Sequence, residues 1–187
     1  MKSFEHHLNT VLGLYRMSIV DQFGRPHTVS DVRHCLTITA NLLIKQGAVL
    51  NEMQIIGIIS SLRGRDSFIS AATSSGKATV FKGTLVMFDL LYNGHGRTRV
   101  DKLQAKFVVI VCSPLIGLME EMVTTFNASP AARELNLRAV HTSGVLPDSK
   151  DMTDICNGRY DLVFTSSEST PTARIPCGRI CRGSMLS

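Results

Sequence analysis

Apolar residues recur along this chain with two different spacings, and the change from one to the other marks out its elements. Between Ser30 and Gln46 the residues Val32, Cys35, Leu36, Leu42 and Leu43 fall at helical intervals. Ser30 is placed to cap that helix and Gly47 to end it. A second helix is predicted over Glu52–Leu62, where Ile55-Ile56-Gly57-Ile58-Ile59 and Leu62 keep the period. A third is predicted from Gly76 to about Leu91, with Val80, Phe81, Leu85, Phe88 and Leu91 inward. Residues 1–28 carry a helical patch near Leu8–Met17 and a turn at Gly24-Arg25-Pro26. Then the pattern changes. Phe107–Cys112 is a continuous apolar run of the kind a buried parallel strand shows. Further strands are expected at Arg138–Thr142 and Asp161–Thr165, alternating with helices at Leu115–Phe126, Pro130–Leu135 and Ser149–Cys156. Ser129-Pro130 supplies a cap and a first-turn proline, and Asn157-Gly158 a stop. This alternation predicts βαβ units and an α/β fold whose parallel sheet is covered on both faces.

One segment invites a chemical reading. Ser67-Phe68-Ile69-Ser70 reads as a short strand, and Ala71-Ala72-Thr73-Ser74-Ser75-Gly76-Lys77-Ala78 follows it and leads into the third helix. A loop feeding a helix N-terminus aims backbone N–H groups at one point, where the helix dipole adds positive charge. A lysine at the position of Lys77 reaches terminal phosphates in the pattern G-x-x-x-x-G-K-[ST]. Here Gly76 and Lys77 are intact, Ala71 replaces the first glycine, and Ala78 replaces the metal-ligating hydroxyl. A plain Ser/Gly turn between strand and helix accounts for these residues equally well.

The surroundings favour the phosphate loop. Gln54 opens the second helix, and Arg63-Gly64-Arg65-Asp66 links that helix to the strand. Downstream come Ser113-Pro114-Leu115-Ile116-Gly117-Leu118-Met119 and Gly158-Arg159-Tyr160-Asp161-Leu162-Val163-Phe164-Thr165-Ser166-Ser167-Glu168. In this order and spacing, over roughly residues 50–169, the segments resemble the opening of a RecQ-like superfamily 2 (DEAD/DEAH-type) helicase. The resemblance implies a three-layer αβα RecA-like P-loop NTPase domain and an ATP-driven 3′–5′ DNA-unwinding activity that uses Mg-ATP. It implies ATP contacts at Gln54, Thr73, Ser74, Ser75, Gly76, Lys77 and Ala78, with Gln54 reading adenine. It implies nucleic-acid contacts at Ser113 and Pro114 (motif Ia) and at Thr165 and Glu168 (motif Ib), with DNA as the partner.

The departures from that family are informative. An aromatic residue and an arginine that sandwich adenine are replaced by Gly47 and Asn51. Ser74 stands for the second loop glycine, Met122 for the motif Ia glutamine and Ser167 for the motif Ib proline. No D-E-x-H or D-E-x-D follows Glu168. The sheet is therefore expected to be incomplete, lacking motif II and the later strands, with the strand at Phe68-Ile69 short of its usual neighbours. No catalytic residue and no metal ligand is assigned. The expectation is an N-terminal helicase piece that does not turn over ATP alone; the alternative is a truncated or decayed non-catalytic product with at most weak nucleotide or nucleic-acid binding. An unrelated α/β domain carrying a fortuitous loop is a third reading.

Composition adds boundaries. The 187 residues leave room for one domain, and the net charge of +5 suits an acidic partner such as nucleic acid. The expected division is a helical region over 1–47, a partial ATP-binding domain over 48–169 and a tail over 170–187. Asn93-Gly94-His95-Gly96-Arg97-Thr98-Arg99 is either a solvated loop or a phosphate contact. Cys177 and Cys181 flank Gly-Arg-Ile without a second pair, which argues against zinc. The five unpaired-looking cysteines favour reduced thiols and a nuclear or cytoplasmic setting. No stretch is apolar for the ~20 residues that a membrane span needs.

Overall fold

The chain divides into two units, residues 1–105 and 106–187. The computed structural model describes residues 3–15, 18–44, 49–70, 76–93, 107–142 and 150–166. Gly47, Thr73, Ser74, Ser75, Ser167, Glu168, Cys177, Cys181, the basic loop beyond Asn93 and the tail over 170–187 lie outside the described residues.

The first unit is built from helices α1 (Phe4–Leu12), α2 (Val29–Leu43), α3 (Glu52–Leu62) and α4 (Ala78–Asn93), with a hairpin of β1 (Ser18–Val20) and β2 (Pro26–Thr28). Of the residues predicted inward on α2, Val32, Cys35, Leu36 and Leu42 are buried and Leu43 half-buried. Its cap is Thr28, not Ser30: β2 runs directly into the helix, and Thr28 accepts the Asp31 N–H at 3.1 Å. The N-terminal helical patch begins earlier than expected, at Phe4, where the Ser3 hydroxyl accepts the His6 N–H. The two short strands around Gly24 are also new, because three residues each give little periodicity to read.

Helix α4 packs against both α2 and α3 and is buried almost all round. Val80, Leu85 and Phe88 point inward as expected, while Phe81 and Leu91 are half-buried. Two glycines permit the α3–α4 approach. A Cβ at Gly57 would come within 2.7 Å of Val80 Cγ1, and one at Gly83 within 2.5 Å of Ile58 Cδ1. The buried hydroxyls of Thr39 and Thr84 donate to the carbonyls one turn back, Cys35 and Val80, each at 2.8 Å.

The predicted strand at Ser67–Ser70 does not form, and the side chain of Phe68 is 95% exposed. A strand needs a partner for its N–H and C=O groups. The described strands of this unit, β1 and β2, are antiparallel partners of each other.

The second unit contains β3 (Val109–Cys112), α5 (Ile116–Asn127), α6 (Pro130–Leu135), β4 (Ala139–His141), α7 (Lys150–Cys156) and β5 (Leu162–Thr165). These are the expected elements, with strand ends trimmed. The sheet is parallel, in the order β3-β5-β4, with Val109 and Ala139 both opposite Leu162. Central β5 carries the buried residues Leu162, Val163 and Phe164. Asp161 ties both neighbours at their starts. Its carbonyl accepts the Val109 N–H at 2.8 Å, its N–H donates to the Arg138 carbonyl at 2.8 Å, and its carboxylate accepts the Arg138 N–H at 2.9 Å. Asn127 does the same for β4 from the end of α5, accepting the Ala139 N–H at 2.8 Å and donating to its carbonyl at 3.0 Å. Among the described residues, no helix is long and apolar enough to cross a membrane.

Candidate functional site

In the first unit the sequence motifs converge on Gln54. Asn51 caps α3 and Gln54 answers it in a reciprocal capping box. The Asn51 Oδ1 accepts the Gln54 N–H, and the Gln54 Oε1 accepts the Asn51 N–H, both at 3.0 Å. The Gln54 Nε2 then donates to the Gly76 carbonyl at 3.1 Å. Gln54 is buried, so this amide is a fixed bracket rather than a mobile surface group. A primary amide offers two donors and two acceptor lone pairs. Among the described residues the capping box uses one acceptor and Gly76 one donor, which leaves one of each.

Gly76 is the residue that the bracket grips. Its φ of +78° lies in the left-handed region, and a Cβ there would collide with Gln54 Nε2. Only glycine meets both conditions. From it the chain tightens directly into α4: the Thr79 N–H donates to the Gly76 carbonyl at 2.9 Å and the Val80 N–H to the Lys77 carbonyl at 3.0 Å. Lys77 stands exposed just before the helix, and Ala78 is its first residue. The described part of the loop therefore depends on glycine for its backbone, because Gln54 occupies the space that a Cβ would need. Ala78 carries a methyl group, and among the described residues no group of metal-ligating side chains is present.

In the second unit the nucleic-acid candidates meet at the C-terminal ends of the strands. The Ser113 N–H donates to the Thr165 carbonyl at 2.8 Å, so the two motifs are adjacent. Two further hydroxyls join them. Thr142, at the end of β4, donates from Oγ1 to Thr165 Oγ1 at 3.0 Å, and Ser166 follows Thr165. Sequence reasoning did not single out Thr142 and Ser166, both of which are buried. Their one signal was position, since each closes a predicted strand or directly follows one. Pro114 is exposed and leads into α5, whose N-cap position, Leu115, offers no side-chain hydrogen bond to the first-turn amides. Ser113 Oγ accepts the Leu115 N–H at 3.4 Å. Amides at an exposed helix start can hydrogen-bond phosphate oxygens.

Comparison with known proteins agrees with these motifs. Residues 51–173, well over half of the chain, match the DEAD/DEAH box helicase family. No curated protein matched. The matched span includes Gln54, Gly76, Lys77, Ser113 and Thr165. The parallel sheet and its helices accordingly form a partial RecA-like α/β fold. With helices and strands in that order and the motif residues at their ends, this chain belongs to the DEAD/DEAH box helicase family.

Proposed function

We propose that the chain serves a RecQ-like, ATP-driven 3′–5′ DNA helicase, contributing the nucleotide loop and part of the DNA track. The observation that carries this reading is the Gln54 Nε2 bond to the Gly76 carbonyl. It joins the adenine-reading position of the family to the glycine of its phosphate loop. The remaining donor and acceptor of the Gln54 amide are what the N7 and N6-amino edge of adenine requires. Lys77, with the loop amides over Thr73–Ala78, would neutralise and cradle the phosphates. Ser113, Pro114, Thr165 and Glu168 would meet the DNA backbone.

Hydrolysis further requires a carboxylate-held Mg²⁺ and a group that orients the attacking water. Ala78 does not fit a metal, so no hydrolytic step is assigned to these residues. The chain by itself is expected to bind ATP weakly and not to hydrolyse it, with its work done in nucleus or cytoplasm. A non-catalytic product with residual nucleotide binding remains the second reading, favoured specifically by Ala78 and by Gly47 and Asn51 at the stacking positions. Titration calorimetry with ATP tests the proposal. Measurable binding that disappears in Lys77→Ala supports it, and equal heats from both proteins would sink it.

A further inference from the structure

Three arginines of the first unit stand around one junction that the nucleotide loop does not use. The Gln22 N–H donates to the Leu62 carbonyl at 2.9 Å and so fastens the hairpin turn to the end of α3. Arg25 lies on that turn, and Arg63 and Arg65 follow α3. A helix C-terminus usually engages nearby basic side chains through its open carbonyls. Here the backbone already serves them. The carbonyls of Ile59, Ser60, Ser61 and Leu62 accept N–H groups from Arg63, Arg65, Gly64 and Gln22 respectively. Among the described residues, none of the three guanidiniums forms an ion pair with a carboxylate, unlike Arg33 with Glu5 or Arg159 with Asp154.

Two of them lie over tyrosine rings instead. Arg25 Cζ sits 5.0 Å from the Tyr92 centroid and Arg63 Cζ 5.2 Å from that of Tyr15. Tyr92 is itself held by a hydrogen bond from its hydroxyl to the buried Asp21. Arg63 Nη1 also donates to the Tyr15 hydroxyl at 3.4 Å. A guanidinium placed over a ring is pre-organised, and its remaining N–H groups can meet an anion. Two residues before Arg25, Phe23 packs at 86° against Tyr92 and is still 41% exposed. Exposed aromatic surface beside fixed guanidiniums is the combination that stacks a base and holds its phosphates.

We infer that the hairpin turn and the end of α3 form a contact surface for single-stranded nucleic acid, with Arg25, Arg63 and Arg65 on phosphates and Phe23 against a base. This surface belongs to the first unit and uses none of the motif Ia and Ib residues, and it does not depend on ATP binding. The test is fluorescence anisotropy of a labelled oligothymidylate with the full chain across a salt series. For R25A/R63A/R65A the slope of log K against log salt should fall by about 2, at about 0.7 per lost phosphate contact on a single strand. The control R133A/R138A removes two exposed arginines of the second unit and should leave the slope unchanged. R25K/R63K preserves charge and guards against misfolding, and it should keep the slope while weakening binding several-fold. Phe23→Leu should weaken single-strand binding by about fivefold or more, as loss of one stacked base does. Equal losses in the triple variant and the control, wild-type affinity in R25K/R63K, or binding of a duplex as tight as the single strand would each overturn the assignment. Loss of ATP binding in Lys77→Ala, with oligonucleotide binding intact, leaves it standing.

Discussion

Residues 1–105 and 106–187 solve the same problem, placing polar groups at defined points, by different means. In the first unit the candidate site hangs on side chains that reach along or between helices: Asn51 and Gln54 at the start of α3, and Gln54 across to Gly76. The α3–α4 approach that allows this depends on the absence of Cβ atoms at Gly57 and Gly83. In the second unit the backbone does most of the placing. Parallel pairing in register brings Ser113 and Thr165 to the same sheet end, and Asp161 fixes where the register starts. A helical site is therefore sensitive to the volume of single side chains, whereas a strand-end site is sensitive to the integrity of the central strand.

The largest expected effect probes the second unit. Phe164 is fully buried on β5, and Phe164→Ala should cost about 3–5 kcal/mol. Hydrogen exchange should accelerate across β3, β4 and β5. Protection retained in all three strands would show that β5 does not carry the sheet. The counterpart in the first unit is Asp21→Ala. Asp21 accepts from Phe23 N–H at 2.8 Å, Arg25 N–H at 2.9 Å, His27 Nε2 at 2.8 Å and the Tyr92 hydroxyl. Leaving these donors without their acceptor should cost about 3 kcal/mol. Urea denaturation followed by helical circular dichroism should register the loss.

Glycine substitutions sharpen the contrast, because they should differ in sign. Gly57→Ala overpacks against Val80, a stiff β-branched side chain, and against Ile69, which would come within 3.0 Å. Strain of about 1–3 kcal/mol outweighs the ~1 kcal/mol gained in helix propensity. Gly117, on α5, has nothing within 4 Å of its would-be Cβ. Gly117→Ala should therefore stabilise by about 0.5–1 kcal/mol. Paired denaturation midpoints decide the matter, and two shifts in the same direction would undo the comparison. The smallest effect is expected from Asn51→Ala, about 1 kcal/mol for a lost cap. Faster exchange at the first-turn amides of α3 would report it directly.

Much of the fold was legible because long amphipathic helices and the βα alternation are written in local periodicity. The α3 boundaries, the Ser129 cap and the stop at Gly158, whose φ is +67°, were all readable. Two helix starts, those of α1 and α2, were misplaced, and the strand failures share one character. The segment Ser67–Ser70 has strand composition but no strand, and the β1–β2 hairpin has strands with little sequence signal. Strand formation depends on a partner, and a partner is not a local property.

The candidate site divides along the same line. Gln54, Gly76, Lys77, Ser113 and Thr165 were picked out as candidates by the chain's own order of motifs, since each expected role calls for a particular side chain or its absence. That Gln54 would grip the Gly76 carbonyl, that Thr142 would donate to Thr165, and that Arg25 and Arg63 would lie on tyrosine rings came only with tertiary structure. Those contacts join residues far apart in sequence, and no periodicity encodes a distance across space.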